Sequence, residues 1–228
     1  MSRNLEKPYS SIDTLADNVL HLYAGKEISV ASTKAYTSQV VTFSILARAI
    51  ANKKTSLRNN LNKLALAIES VLENRDIIES VAEKFVKATD AFYIGRGLSY
   101  YACLEATLKL KEISYVHAEA YASGELKHGP IALIEPDTPV IAIIADDRTN
   151  AITRSNLIET KTRGAQGIVI STNSCSKSDD DIIVPDVASY LTPIITVVAS
   201  QLLAYYAAVK RGNDVDKPRN LAKSVTVE

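Results

Sequence analysis

Cysteine is scarce in this chain of 228 residues: Cys103 and Cys175 stand alone, with no CxxC and no Cys/His spacing. That excludes a disulfide framework and gives no zinc site, and no metal or cofactor is expected. Glycine (8) and proline (7) are also sparse, which argues against long disordered linkers. Charge of one sign is absent, since 26 Lys+Arg balance 26 Asp+Glu. No bulk field therefore draws the chain to nucleic acid or an anionic membrane, and any anion must be held locally. No apolar run reaches the ~18 residues of a membrane span, and the start MSRNLEKPYSSIDTLADN lacks the apolar core of a signal peptide. A cytoplasmic protein is expected. What is present is ordinary globular composition, 46% hydrophobic and 23% charged, in a length that suits one full domain and a smaller unit.

The pattern along the chain is α/β. Asn18–Tyr23 alternates and reads as a strand. Thr33–Asn52 is Ala-rich and apolar nearly all round (Val40, Val41, Phe43, Ile45, Leu46, Ile50), as expected of a helix covered on most sides, with Ser32 as its N-cap. Leu57, Leu61, Leu64, Ile68 and Leu72 recur at helical spacing over Ser56–Arg75, suggesting a connector. A further amphipathic stretch, Ile77–Ala88, precedes the strand Ala91–Ile94 and the turn Gly95-Arg96-Gly97. A helix over Ser99–Ser114, a strand Val140–Ile144, a helix near Asn150–Arg163 and a strand Gly167–Ile170 follow, with one more strand in Asp181–Val184. Pro193 can start a long helix ending near Arg211-Gly212. Helices alternating with fully apolar strands imply a three-layer fold, a parallel sheet covered by helices on both faces.

Several residue groups could carry chemistry. Gly95-Arg96-Gly97 after a strand has the start of a dinucleotide fingerprint, but Tyr100 occupies the third glycine position. The turn is either a plain βα connection or an aim of backbone N–H groups at an anion. Glu105, Lys109 and Glu112 fall within an arc of ~60° on their helix. Leu104 and Leu108 flank them on one side, and Ala102, Ala106 and Ile113 on the other, which favours partial burial. Taken alone this is either a solvated i, i+4 ion pair worth ~0.2–0.5 kcal/mol or a carboxylate base tuned by burial and an ammonium. The turn-rich segment Ser123–Pro130 holds His128, the histidine whose loop setting suits proton transfer, whereas His21 and His117 read as structural. On composition alone, the tail Pro218–Val225 with Arg219 and Lys223 reads as a frayed basic terminus.

Four segments together change that reading: Glu27–Ala35, Leu108–Ser114, Ser123–Pro130 and Asp216–Glu228. From about Ala16 to the last residue the chain resembles the isomerase half of the glucosamine-6-phosphate synthase (glutamine–fructose-6-phosphate aminotransferase) family. The resemblance implies tandem sugar-isomerase (SIS) domains. Residues 1–53 would be the end of a first, 54–75 a helical connector, 76–212 a second, and 213–228 an active-site tail. It implies that fructose 6-phosphate and ammonia become glucosamine 6-phosphate by proton transfer between C1 and C2. Glu112 would be the base, Lys109 its supporting cation, and His128 the group that assists ring opening in a neighbouring subunit's site. Lys223 would form an imine with the open-chain sugar, and Val30, Ser32 and Ala222 would line the sugar pocket. A mobile tail would act as cover.

Departures from the family carry expectations of their own. No cysteine precedes Cys103, so glutamine hydrolysis is not expected. Met1–Ser11 does not resemble the family, and the Ser/Thr-rich phosphate turns are not found. The helix at Thr33–Asn52 should then lack much of the sheet it covers, leaving apolar side chains worth ~1.5–3 kcal/mol each in need of a homodimer or a complementing chain. The rival expectation is a non-catalytic sugar-phosphate-binding or assembly module. A nucleic-acid regulator is disfavoured by neutral charge and the lack of a helix-turn-helix segment.

Overall fold

The structure, a computed structural model, describes residues 11–53 and 56–223. The first ten residues and the closing Ser224–Glu228 of the quoted tail segment lie outside them. Five parallel strands form one sheet: β1 (Asp90–Gly95), β2 (His117–Ala122), β3 (Pro139–Ile144), β4 (Gln166–Thr172) and β5 (Ile182–Val184), in the order β2-β1-β3-β4-β5. The helices are α1 (Ser11–Leu15), α2 (Lys34–Ile50), α3 (Leu57–Glu73), α4 (Arg75–Val81), α5 (Leu98–Ser114), α6 (Asp147–Lys161) and α7 (Thr192–Lys210).

Period-two alternation sorts each strand between two cores. Ala91 and Tyr93 of β1, with Ile141, Ile143, Ile168 and Ile170, meet α5 and α7 on one face. Phe92 and Ile94, with Val140, Ala142 and Ile144, meet Leu157 of α6 and Leu126 on the other. Alanines let helices approach closely: Ala102, Ala106 and Leu110 of α5 share the first core with Ala199, Leu203, Ala204 and Ala207 of α7. α7 is apolar enough, by length and composition, to cross a membrane, yet its apolarity is spent on this core, where it is largely buried.

The expected three-layer parallel architecture is present, and four of its strands stand where the apolar runs placed them. Two readings change. Asn18–Tyr23 is irregular rather than a strand. The segment ending at Ser114 is followed by an unforeseen edge strand, β2, registered residue by residue against β1 from Asp90↔His117 to Gly95↔Ala122. The α2 helix is not covered on most sides, as its composition suggested, but shows the shortage of cover expected from the departures: none of its residues is fully buried, and Phe43 and Ile50 are 63% and 78% exposed.

Gly95 explains how β1 turns into α5. A Cβ there would lie 2.8 Å from the Ser99 backbone carbon and oxygen, so only glycine fits the approach. Gly97 follows at φ +55°, a conformation glycine adopts without strain.

Candidate active site

The centre of the candidate site is the charged face of α5. Lys109 Nζ lies 2.6 Å from Glu112 Oε2 and 3.5 Å from Glu105 Oε1. The lysine side chain is 3% exposed, that of Glu105 10% and that of Glu112 21%. The solvated-pair reading is thereby overturned, since this ammonium is buried between two acids. The two nearest oxygens, Glu105 Oε1 and Glu112 Oε2, meet it at ion-pair range and have no other hydrogen-bond partner among the described residues. Burial pushes the Glu105 carboxyl up to about 7, with Lys109 pulling it down and the Glu112 charge adding to the rise. The phenol of Tyr36, a residue of α2 packed against the first core, is pushed up to about 12 by burial and by the Glu105 charge. Two acids around one buried cation, one of them poised near neutrality, can accept and return a proton.

A second group forms where the segment before α2 meets the C-terminal tail. The Val30 N–H donates to the Asp216 carbonyl at 3.2 Å, and Ser29 Oγ donates to the Val215 carbonyl at 3.0 Å. Lys223 Nζ donates to the Glu27 carbonyl at 2.7 Å. The Glu27 carboxylate accepts from the Thr33 N–H at 2.6 Å and from Ser32 Oγ at 3.3 Å. Thr33, rather than Ser32, is the N-cap of α2, and the cap is supplied by this remote carboxylate instead of by the cap residue's own hydroxyl.

The tail joins the two groups. Asn213 Nδ2 donates to the Ile113 and Ser114 carbonyls at the end of α5, each at 3.2 Å. The Arg219 N–H donates to Tyr115 Oη at 2.8 Å, and its guanidinium lies 4.2 Å from the centre of that ring. Described residues 213–223 are thus bonded into the body, which replaces the frayed-terminus reading. Val30, Ser32 and Lys223 come together here; Ala222 is exposed in the same stretch.

His128 is elsewhere. It closes the short 3-10 turn Leu126–His128, exposed, and Leu126 anchors that turn in the core on the opposite sheet face from α5. One protomer does not unite it with Glu112. The Gly95-Arg96-Gly97 turn also serves this second face. Arg96 Nε donates to Ser123 Oγ at 2.9 Å, and Ser123 Oγ donates to Asn156 Oδ1 at 3.0 Å. A cleft of about 660 Å³ lies among the strand N-termini, between Asp90, His117, Pro139 and Gln166, and its lining contains none of the expected site residues. Among the described residues no cluster of three or more His, Cys, Asp or Glu side chains could hold a metal ion.

Residues 84–211 match the family model of the SIS domain. The chain belongs to the SIS family. This SIS chain is similar to the glutamine–fructose-6-phosphate aminotransferase (isomerizing) of Bacillus licheniformis, 48% identical over 227 residues, and to that of Lactiplantibacillus plantarum, 50% identical over 229. Each match covers 97% of the chain but 38% of the relative, so the chain spans about two fifths of the curated relatives' length. The match takes in more than Ala16–Glu228, the extent expected from the motifs. Among solved structures, the C-terminal domain of glucosamine-fructose-6-phosphate aminotransferase from Francisella tularensis superposes with a TM-score of 0.85 at 36% identity, covering 93% of this chain and 63% of that one. Glucosamine-6-phosphate deaminase from Thermotoga maritima follows with 0.77 at 25%, covering 97% and 65%.

Sequence reasoning about this SIS chain left two acids out of its site. Glu105 was legible on the charged face but was not assigned a role. Glu27 opens the quoted segment Glu27–Ala35 but was assigned no role, because it precedes Thr33 by six residues and so lacks the spacing of a capping box.

Proposed function

We propose that this SIS chain carries the isomerase chemistry of a glucosamine-6-phosphate synthase. The observation that carries the reading is the buried Glu105–Lys109–Glu112 cluster, with the Glu27–Thr33 segment and the tail gathered beside the same helix. Ammonia and fructose 6-phosphate give an imine at C2. Glu112 takes a proton from C1, the C–H electron pair becomes the C1–C2 double bond and the C2–N π pair moves to nitrogen, which takes a proton; the proton is then returned at C2 as the C1 hydroxyl loses its own, leaving the amine at C2 and the aldehyde at C1 of glucosamine 6-phosphate. Lys109 balances the negative charge that grows on oxygen, at a place where burial makes each charge count more than in water. Lys223 stands at the sugar's carbonyl end and can form an imine there. Val30, Ser32 and Ala222 line the sugar, and His128 serves ring opening in a second copy's site.

In this reading, residues 1–53 end a first SIS domain, 54–75 connect it to a second at 76–212, and 213–228 form the tail, in a cytoplasmic protein. The exposed flank of α2 is then the face that a second copy or a complementing chain covers, bringing the sugar-phosphate cradle with it.

The test is product formation from fructose 6-phosphate and ammonium, with and without a complementing chain. Glutamine should give none. Glu112→Gln is expected to lower the rate by about 10²–10⁴-fold, the usual worth of a general base, and Lys223→Ala to abolish the imine. If Glu112→Gln leaves sugar conversion unchanged, the proton-transfer reading is lost, and a non-catalytic sugar-phosphate-binding or assembly module takes its place.

A further inference from the structure

We infer that Glu27 is the positioning residue for Lys223, holding the tail amine against the site by fixing the peptide that receives it. The inference deepens the proposed function and rests on it for the role of Lys223.

Glu27 is engaged at both ends. Its carboxylate is bound to the start of α2: Oε1 accepts from the Thr33 N–H at 2.6 Å and the Ala35 N–H at 3.4 Å, while Oε2 accepts from Ser32 Oγ at 3.3 Å. A carboxylate at two free N–H groups of a helix start gains both their hydrogen bonds and the positive end of the helix dipole. The side chain therefore locks residue 27 to α2, and α2 packs on α7 with Tyr36 against the core that α5 and α7 share.

The other end is the main-chain oxygen. Lys223 Nζ donates to it at 2.7 Å. The preceding carbonyl, that of Lys26, accepts from Lys34 Nζ at 2.6 Å, so two ammonium groups grip successive peptides of one irregular segment. Two residues on, Ser29 and Val30 bond to Val215 and Asp216, which pins the tail in register. Without the carboxylate anchor, nothing in the side chain at position 27 fixes the direction of its carbonyl, and the amine loses its rest position. A misplacement of about 1 Å in a reacting group can cost on the order of a hundredfold in rate.

The experiment compares Glu27→Ala, which removes the anchor, with Glu27→Gln, whose side-chain oxygen can still accept from the Thr33 N–H. The first readout needs no sugar: hydrogen exchange at the Val30 and Arg219 amides, both bonded across the tail contact, against Ile141 in β3 as an internal control. Glu27→Ala should speed exchange at Val30 and Arg219 by about tenfold or more, leave Ile141 unchanged, and be rescued by Gln. The second readout traps the imine. The Lys223 amine adds to the C2 carbonyl of open-chain fructose 6-phosphate with loss of one water, and borohydride delivers hydride to the imine carbon, leaving a stable secondary amine located by mass. Trapping at Lys223 should fall about tenfold or more in Glu27→Ala and stay near wild type in Glu27→Gln.

Unchanged exchange at both amides, or equal trapping in wild type and Glu27→Ala, overturns the inference, as does a Gln variant as impaired as Ala. Absence of trapping in the wild type counts against the proposed role of Lys223 instead, and the exchange comparison then still decides whether Glu27 holds the tail.

Discussion

Glu105 is the residue at which burial and charge are most nearly balanced. Its carboxyl is pushed up to about 7 because burial outweighs the pull of Lys109, whose other partner, Glu112, adds negative charge. The sign of the consequence is fixed by linkage. The folded state binds a proton at Glu105 more tightly than the unfolded chain does, so this group's contribution to stability is lost as pH rises from about 4.5 to about 7. Glu105→Gln cannot ionise and avoids that loss. At pH 4 the variant and wild type should melt nearly together, while at pH 8 the variant should be more stable by about 1–3 kcal/mol after allowance for solvent screening. Thermal melts at the two pH values check this, and a variant less stable at pH 8 would mean that the Lys109 attraction outweighs burial. The same substitution should flatten the neutral limb of any pH–rate profile, because it removes the acid that titrates there.

At the scale of elements, the turn between β1 and α5 shows what one missing Cβ permits. Gly95→Ala would place a methyl 2.8 Å from the Ser99 main chain and 3.0 Å from Cys103 Sγ, and neither a helix backbone nor a buried core cysteine can step aside cheaply. A cost of about 1–3 kcal/mol is expected, read as a lower urea midpoint at unchanged slope. Gly97→Ala meets no atom within 4 Å, yet φ +55° with ψ −128° is backbone that essentially only glycine adopts, so a cost of about 1–3 kcal/mol is expected from conformational strain alone.

The elements legible from sequence are those whose burial wrote a pattern. β1, β3 and β4 are continuous apolar runs because both faces are covered, and the charges of α5 stood out because they broke an otherwise apolar surface. β2 was illegible: His117-Ala118-Glu119-Ala120-Tyr121-Ala122 alternates polar residues with alanines, and as an edge strand it needs no large apolar side chain. Asn18–Tyr23 misled for the converse reason, since its alternation has no neighbouring strand to pair with. The tail could not be read from composition because its order comes from main-chain bonds to Glu27, Ser29, Val30 and Tyr115, residues about 100 to 200 positions away in sequence.

At the scale of the whole molecule, the two ends of the chain differ in how far their apolar surface is used. The sheet and α7 bury theirs almost completely, whereas α2 presents Phe43 and Ile50 to solvent along a helix whose sequence is apolar nearly all round. Burying one such side chain is worth about 1.5–3 kcal/mol, so leaving several uncovered favours any association that covers them. The curated relatives continue well beyond the length matched here, and a further domain of such a chain is the natural cover. For the 228-residue chain by itself, a second copy is the cover available. Sedimentation velocity should therefore show concentration-dependent association above the 24.8 kDa monomer. The double variant Phe43→Lys/Ile50→Lys should shift that equilibrium toward the monomer by about tenfold or more, since it replaces two apolar contacts with charges that lose hydration when covered. Its melting temperature at low concentration should stay near that of wild type, because neither side chain belongs to the core. Association that survives the double variant would place the contact on another face, with the exposed row Leu98, Tyr101, Leu104 and Leu108 of α5 the next to change.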